Sequence, residues 1–299
     1  MTESDTITRN AKSNLAFTLV NLPEETRMHM AQLYAFCRIV DDIVDEPGMS
    51  DDERSAALNR WSDIITRSAP PAQGVESEVV SLITDLHLDI APMQELIAGC
   101  RSDIRQQQPR TIRELLAYCY RVASCVGITS ATVMGASDAA RDYAVALGYA
   151  LQMVNIIRDA AEDCEKYGRF YLPAEDMELF GVSHEDIRAR RYSYRLRRLL
   201  SYEAELAEKF FEEADELYAA LPAADRTALI PAQAMKHIYH TILEKMAADE
   251  YRIFEQRYSI NTFRKLWYVL RARMETVDLP SFPDLAAWGF LRDEDDEEK

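Results

Sequence analysis

The chain has 299 residues, 48% of them hydrophobic and 28% charged, the balance of an ordinary globular protein long enough for one large core or two modest domains. Its net charge of −17 argues against a nucleic-acid partner, because phosphate backbones need a basic footprint. It leaves an anionic substrate open, since a divalent cation reverses the local sign inside an acidic pocket.

In chain order, residues 1–10 are polar and carry acids, so they read as a flexible N-terminus rather than a secretory signal. Helical periodicity then places helices near 10–20, 24–45, 51–68, 76–89 and 92–105, and further ones near 111–134, 138–165, 193–220, 224–256 and 261–277. Pro23 opens the second of these, Pro47 follows its end, and Pro70-Pro71 marks a loop. Gly168–Pro173 breaks the pattern as a short extended loop. With nine glycines in all and no alternation of strands and helices, the fold class is all-α. A single helical-bundle domain over 11–291 around an apolar cavity is expected, followed by an acidic, disordered tail at 292–299. That tail contributes −4 and leaves −13 for the rest. The longest uncharged run, Val122–Ser137, has 16 residues; a membrane span needs about 20 apolar residues, so it reads as buried helix. Five cysteines without a CxxC pair fit no disulfide framework and favour a reducing, cytoplasmic setting.

Two segments carry chemistry. In Leu33–Glu46, Tyr34, Arg38, Asp41 and Asp45 are spaced 4, 3 and 4 apart and share one helix face. Leu33, Phe36, Ile39, Val40, Ile43 and Val44 make the same helix apolar elsewhere. In Leu147–Asp163, Gly148, Gln152, Asn155, Asp159 and Asp163 form a second such line on an apolar helix. Either line alone reads as readily as a solvated acidic helix end. Together, on two buried helices, they would form a set of hard oxygen donors suited to magnesium, which shares its coordination between carboxylates and substrate phosphates. Arg38 and Arg158, interleaved with the acids, suit phosphate oxygens.

At these residues the sequence resembles the squalene/phytoene synthase family of head-to-head prenyl synthases. YAFCRIVDDIVDE is similar to that family's first aspartate motif and LQMVNIIRDAAEDCEKYGRFYLP to its second. Tyr118–Gly127 resembles its tyrosine-bearing helix, where YCYxVAGxVG is usual, and the similarity runs from about residue 13 to 270. The resemblance implies an all-helical enzyme in which Asp41, Asp45, Asn155, Asp159 and Asp163 bind magnesium. It implies that Tyr34, Arg38, Gln152, Arg158 and Tyr239 contact prenyl diphosphate, and that Tyr118 assists ionisation. Asp103 and Arg169 stand where the family has functional polar residues. Ser13 and Asn14 stand in its N-terminal phosphate-binding stretch, although the usual Ser-Phe pattern is altered here. Ser124 replaces the usual VAG glycine, a change of pocket shape being one consequence.

The reaction implied is loss of diphosphate from one substrate, alkylation of the second by the allylic cation, and closure to a cyclopropylcarbinyl diphosphate. A second ionisation and rearrangement then give a 1-1′-linked hydrocarbon. The leading expectation is two farnesyl diphosphates giving squalene or a thirty-carbon relative, with NADPH as reductant if the product is squalene. The alternative is phytoene from two geranylgeranyl diphosphates; a catalytically silent assembly factor is a third. A head-to-tail elongase is disfavoured because the second motif reads NxxxDxxED rather than DDxxD. Peripheral contact with a membrane is an available route for product release. No GxGxxG or GxxxxGK[ST] supports nucleotide binding. His237 and His240 lack a carboxylate at metal-site spacing, Cys37 reads as a small buried thiol, and Phe210, Leu217 and Leu221 read as packing.

Overall fold

The structure is a computed structural model that describes residues 2–10, 14–19 and 22–276. The described residues form helices and connecting turns, with no strand among them. The predicted Ser13 and the acidic tail at 292–299 lie outside the described residues.

The first correction comes at the N-terminus. Residues read as flexible form helix α1 (Glu3–Asn10), followed by a short α2 (Asn14–Thr18). The backbone N–H groups of Glu3 and Ser4 donate to the Glu78 carboxylate, each at 3.2 Å. An anion at the N-terminal end of a helix satisfies its open donors and its dipole. That anchor comes from a distant part of the chain, so no local signal announced it.

The long helix α3 (Glu24–Asp45) starts directly after Pro23, as read from the sequence. It buries Met30, Leu33, Phe36, Val40 and Val44 against α4 (Asp51–Ile65), α5 (Val75–Asp85) and α6 (Ala91–Ile104). Each such side chain contributes roughly 1.5–3 kcal/mol on burial. Ser50 and Glu53 close a capping box at the start of α4, satisfying two open donors at once.

The helix predicted over 111–134 is continuous but changes gauge: α7 (Ile112–Cys119), a π turn at Tyr120–Ser124, then α8 (Cys125–Val133). It packs on both α6 and the second long helix, α9 (Arg141–Tyr167). Most of the uncharged Val122–Ser137 run is internal as expected, with Ser124, Thr129 and Ser130 buried, while Thr132, Gly135 and Ser137 reach the surface. No helix among the described residues is long and apolar enough to cross a membrane.

Gly168 ends α9 at φ 67°, a left-handed conformation that glycine adopts without strain. Its N–H donates to Cys164 O at 3.1 Å and the Arg169 N–H to Asp163 O at 3.2 Å. The chain therefore reverses at once and carries Arg169 back toward α3. Two short helices missed in the sequence follow, α10 (Ala174–Phe180) and α11 (His184–Arg188). Then α12 (Tyr194–Ala220) packs along α9.

The helix read as 224–256 is three pieces: α13 (Ala223–Ala228), α14 (Ile230–Ala248) and a non-helical stretch up to α15 (Thr262–Glu275). Glu250 and Tyr251 have φ of 56° and 59°, which a helix cannot contain. Asp249 holds the loop by accepting from Tyr258 Oη and Gln256 Nε2, both at 2.6 Å.

Candidate active site

Tyr34 and Arg38 from α3 and Arg158 from α9 border one cavity, and Asp45 and Asp163 interact across the gap between the two helices. Arg38 donates through Nε to Asp42 at 3.0 Å and lies 3.6 Å from Asp41. Asp42 was not singled out in the sequence. On α9, Arg158 donates to Asp159 at 2.8 and 2.5 Å and to Asn155 Oδ1 at 2.9 Å. Asn155 Nδ2 in turn donates to Gln152 Oε1 at 3.4 Å. Gln152, Asn155, Arg158 and Asp159 are thus one hydrogen-bonded row. Across the gap, Arg169 donates to Asp45 at 2.6 Å and to the Val44 carbonyl at 2.9 Å, tying the end of α9 to the end of α3.

The charges are unevenly balanced. Asp45 and Asp159 each pair with an arginine. Surrounding protein and the neighbouring Asp45 push the Asp41 carboxyl up to about 7. Half of the Asp41 side chain still touches solvent, 51%, so that solvent lies in a recess walled by protein. Asp163 is likewise pushed up to about 7 by burial and by Asp159, with Asp45 adding across the helices and Arg169 opposing. Among the described residues no three His, Cys, Asp or Glu side chains converge as a ready-made metal cage. The donors instead form two separated carboxylate pairs with excess negative charge. This fits magnesium, which takes one or two carboxylates and completes its shell with water and phosphate oxygens.

Beside the acids lies a cavity of about 830 Å³ whose walls include Asn14, Tyr34, Arg38, Asp42, Arg158 and Tyr239. Five of these were predicted. Ile242 from α14, Arg257, Tyr258 and Ser259 from the loop after it, Lys265 from α15, and Ile7 and Asn10 from α1 complete it. The Arg158 guanidinium stands 6.0 Å from the centre of the Tyr239 ring. An adjoining cavity of about 330 Å³ shares Arg158 and Arg257 and adds Asp159, Glu162 and Lys166. Arg38, Arg158, Arg257 and Lys265 border the larger cavity, so it can take an anion of several charges despite the acidity of the chain.

Tyr118 lies apart from that cavity. Its hydroxyl donates to Asp103 at 3.1 Å, Tyr171 donates to the other Asp103 oxygen at 3.0 Å, and the two rings stack at 4.9 Å. Burial pushes the Asp103 carboxyl up to about 6 against the pull of Arg169 and both hydroxyls. Arg169 thus links this cluster electrostatically to Asp45. Tyr171 was missed, although it follows Gly168 and Arg169 within the second motif.

The other predicted candidates separate cleanly. His237 meets Glu275 at 3.1 Å and His240 meets Glu208 at 2.9 Å, so the two imidazoles serve different helices. Burial and Asp41 push the Cys37 thiol up to about 12, which leaves it protonated and unreactive. Ser124 donates to the Val145 carbonyl at 2.9 Å, fastening its helix to α9.

An all-α bundle with paired acidic helix ends beside a cationic recess belongs to the class of proteins that can bind a polyanion together with a divalent cation. Comparison with known proteins narrows this class. The sequence profile described as squalene/phytoene synthase matches residues 8–264. A phytoene synthase from Arthrospira platensis is 32% identical over 273 residues, covering 85% of this chain and 87% of that one. A 15-cis-phytoene synthase from Synechocystis sp. is 33% identical over 274 residues, with 87% and 80% covered. Among solved structures, a dehydrosqualene synthase in complex with ligand superposes with a TM-score of 0.78 at 26% identity, covering 91% and 94%. The chain belongs to the squalene/phytoene synthase family, and is a prenyltransferase of the head-to-head type.

Proposed function

We propose that this enzyme is a phytoene synthase, joining two geranylgeranyl diphosphates with magnesium as the metal. The observation that carries the reading is the pairing of one cationic recess with two carboxylate pairs on facing helices, in a chain similar to phytoene synthases along most of its length. Phytoene therefore replaces squalene as the preferred product. Its formation ends in loss of a proton, so NADPH is not required.

The proposed roles draw on the geometry and on the family resemblance together. Asp41, Asp45, Asn155, Asp159 and Asp163 are the oxygen donors for magnesium, which when bound supplies charge neutralisation at the departing diphosphate. Arg38, Arg158, Arg257 and Lys265 hold the diphosphate oxygens, with Tyr34, Gln152, Tyr239 and Asn14 fixing their orientation. Ser13 belongs to the same phosphate-binding proposal by sequence alone. Arg169 keeps Asp45 in place, and Tyr118, oriented by Asp103, serves the ionising allylic centre. Catalysis in this arrangement is orientation plus electrostatic stabilisation of the leaving group.

A thirty-carbon product remains the second reading, favoured by the likeness to a dehydrosqualene synthase. Incubation with equal farnesyl and geranylgeranyl diphosphate and magnesium, without NADPH, tests the choice by mass analysis of the hydrocarbon. The forty-carbon product should dominate. A thirty-carbon hydrocarbon in excess would overturn the chain-length assignment, and product only with NADPH would restore squalene.

A further inference from the structure

Tyr118 stands two residues before the π turn at Tyr120–Ser124, whose defining bond runs from the Cys125 N–H to the Tyr120 carbonyl five residues back. One residue added to a helical turn rotates everything before it by about 100° relative to everything after it. The direction of Tyr118, and so its 3.1 Å hydrogen bond to Asp103 on α6, depends on that turn. A π turn is rare because an uninterrupted α-helix competes with it, so something outside the helix must hold it.

Two glycines make room for the turn. At Gly99 on α6, a Cβ would stand 2.7 Å from Val122 Cγ1 and 3.0 Å from Arg121 Cβ. The closer of these is the end of a side chain, which can rotate away. At Gly148 on α9, a Cβ would stand 2.4 Å from Ser124 Cα, 2.6 Å from Ser124 N and 2.7 Å from Ser124 Oγ. Two of those are backbone atoms of the turn itself, and they cannot yield unless the turn moves. Ser124 Oγ also donates to Val145 O at 2.9 Å, pinning the same residue to α9.

We propose that Gly148, together with the Ser124–Val145 hydrogen bond, is a positioning element for Tyr118. α9 seats the π turn, and the turn sets the aim of the Tyr118 hydroxyl. The helix that carries Asn155, Asp159 and Asp163 therefore also fixes the tyrosine on the neighbouring helix, so both parts of the site share one frame. This inference rests on the reading of Tyr118 as a residue of the reaction site.

The test is a double-mutant cycle on the full chain, with geranylgeranyl diphosphate and magnesium. Gly148→Ala should lower kcat by about tenfold to a hundredfold, the cost of a misplacement near 1 Å. KM should stay within about twofold, because the diphosphate contacts lie elsewhere. In a Tyr118→Phe background the same substitution should add little further loss, because both act through one hydroxyl. Should Gly148→Ala fail to fold, Ser124→Ala carries the cycle: a two- to fivefold fall in kcat, roughly one hydrogen bond's worth, again absent in the Tyr118→Phe background. If Tyr118→Phe is impaired and either second substitution multiplies its loss in full, the positioning role is overturned. If Tyr118→Phe keeps full turnover, the reading of Tyr118 itself falls and this inference with it.

Discussion

Replacing Arg169 by methionine should expose how the two halves of the site are joined. The guanidinium is largely buried and donates to Asp45 at 2.6 Å and to the Val44 carbonyl at 2.9 Å. Methionine keeps most of the volume and removes the charge, leaving Asp45 without its partner among the other acids. Breaking a buried pair from one side costs about 3–5 kcal/mol. For a chain of this size that is a fall in midpoint of roughly 5–8 °C. The pH dependence has a definite sign. Arg169 holds down the carboxyls of Asp103 and Asp163, which stand at about 6 and about 7 even with it present. Without it both rise further, so the folded state keeps protons that the unfolded chain has released, and stability falls as pH rises through that window. Denaturant titrations of both proteins at pH 5.5 and pH 8 are the assay, with a larger loss expected at pH 8. A loss below about 1 kcal/mol, the scale of an exposed pair, with no dependence on pH, would refute the reasoning.

Three further outcomes follow from the same geometry. Asp41→Asn and Asp159→Asn should each lower turnover by about a hundredfold or more while leaving the far-ultraviolet circular dichroism unchanged; near-normal turnover in both would remove the metal-site assignment. Glu203 is buried beside Asp176 with no hydrogen-bond donor on either oxygen, and its carboxyl is pushed from 4.5 up to about 8. Stability is therefore lost as pH rises between those values, at a limit of about 1.4 kcal/mol per pH unit. Glu203→Gln should flatten that slope and stabilise the protein by a few kcal/mol at pH 8, and parallel stability–pH curves would contradict this. Glu78→Gln removes the anion at the start of α1 and should cost about 0.5–1 kcal/mol and speed proteolysis at Arg9; unchanged cleavage there would show that α1 is held by other contacts.

The fold was legible where one periodicity ran a long way. α3, α9 and α12 combine apolar faces with clear punctuation by Pro23 and Gly168, and the sequence bounds lie within a few residues of the observed ones. The polar lines on α3 and α9 were equally readable, because carboxylates four apart on apolar helices conflict with burial unless a cation compensates. What escaped reading depends on distant partners. α1 is ordered by Glu78, and the 249–261 loop is shaped by Asp249 and by left-handed residues within a segment of helical composition. Arg257 and Lys265 were missed for that reason: a loop cation and a helix lysine carry no periodic signal, and only the tertiary fold brings them beside Arg38 and Arg158. The π turn at Tyr120–Ser124 is also invisible locally, since the residues packed against it, Val145 and Gly148 on α9, are distant in sequence.

The central claim is that the α3 and α9 acids, with the bordering cations, release diphosphate from two prenyl chains as those chains are joined. The most direct measurement pairs a count of diphosphate released with a count of hydrocarbon formed, using purified protein, geranylgeranyl diphosphate and magnesium. Two diphosphates per forty-carbon hydrocarbon, and neither product once magnesium is chelated, is the predicted result. Hydrocarbon that persists without divalent metal, or diphosphate released with no hydrocarbon at all, would contradict it.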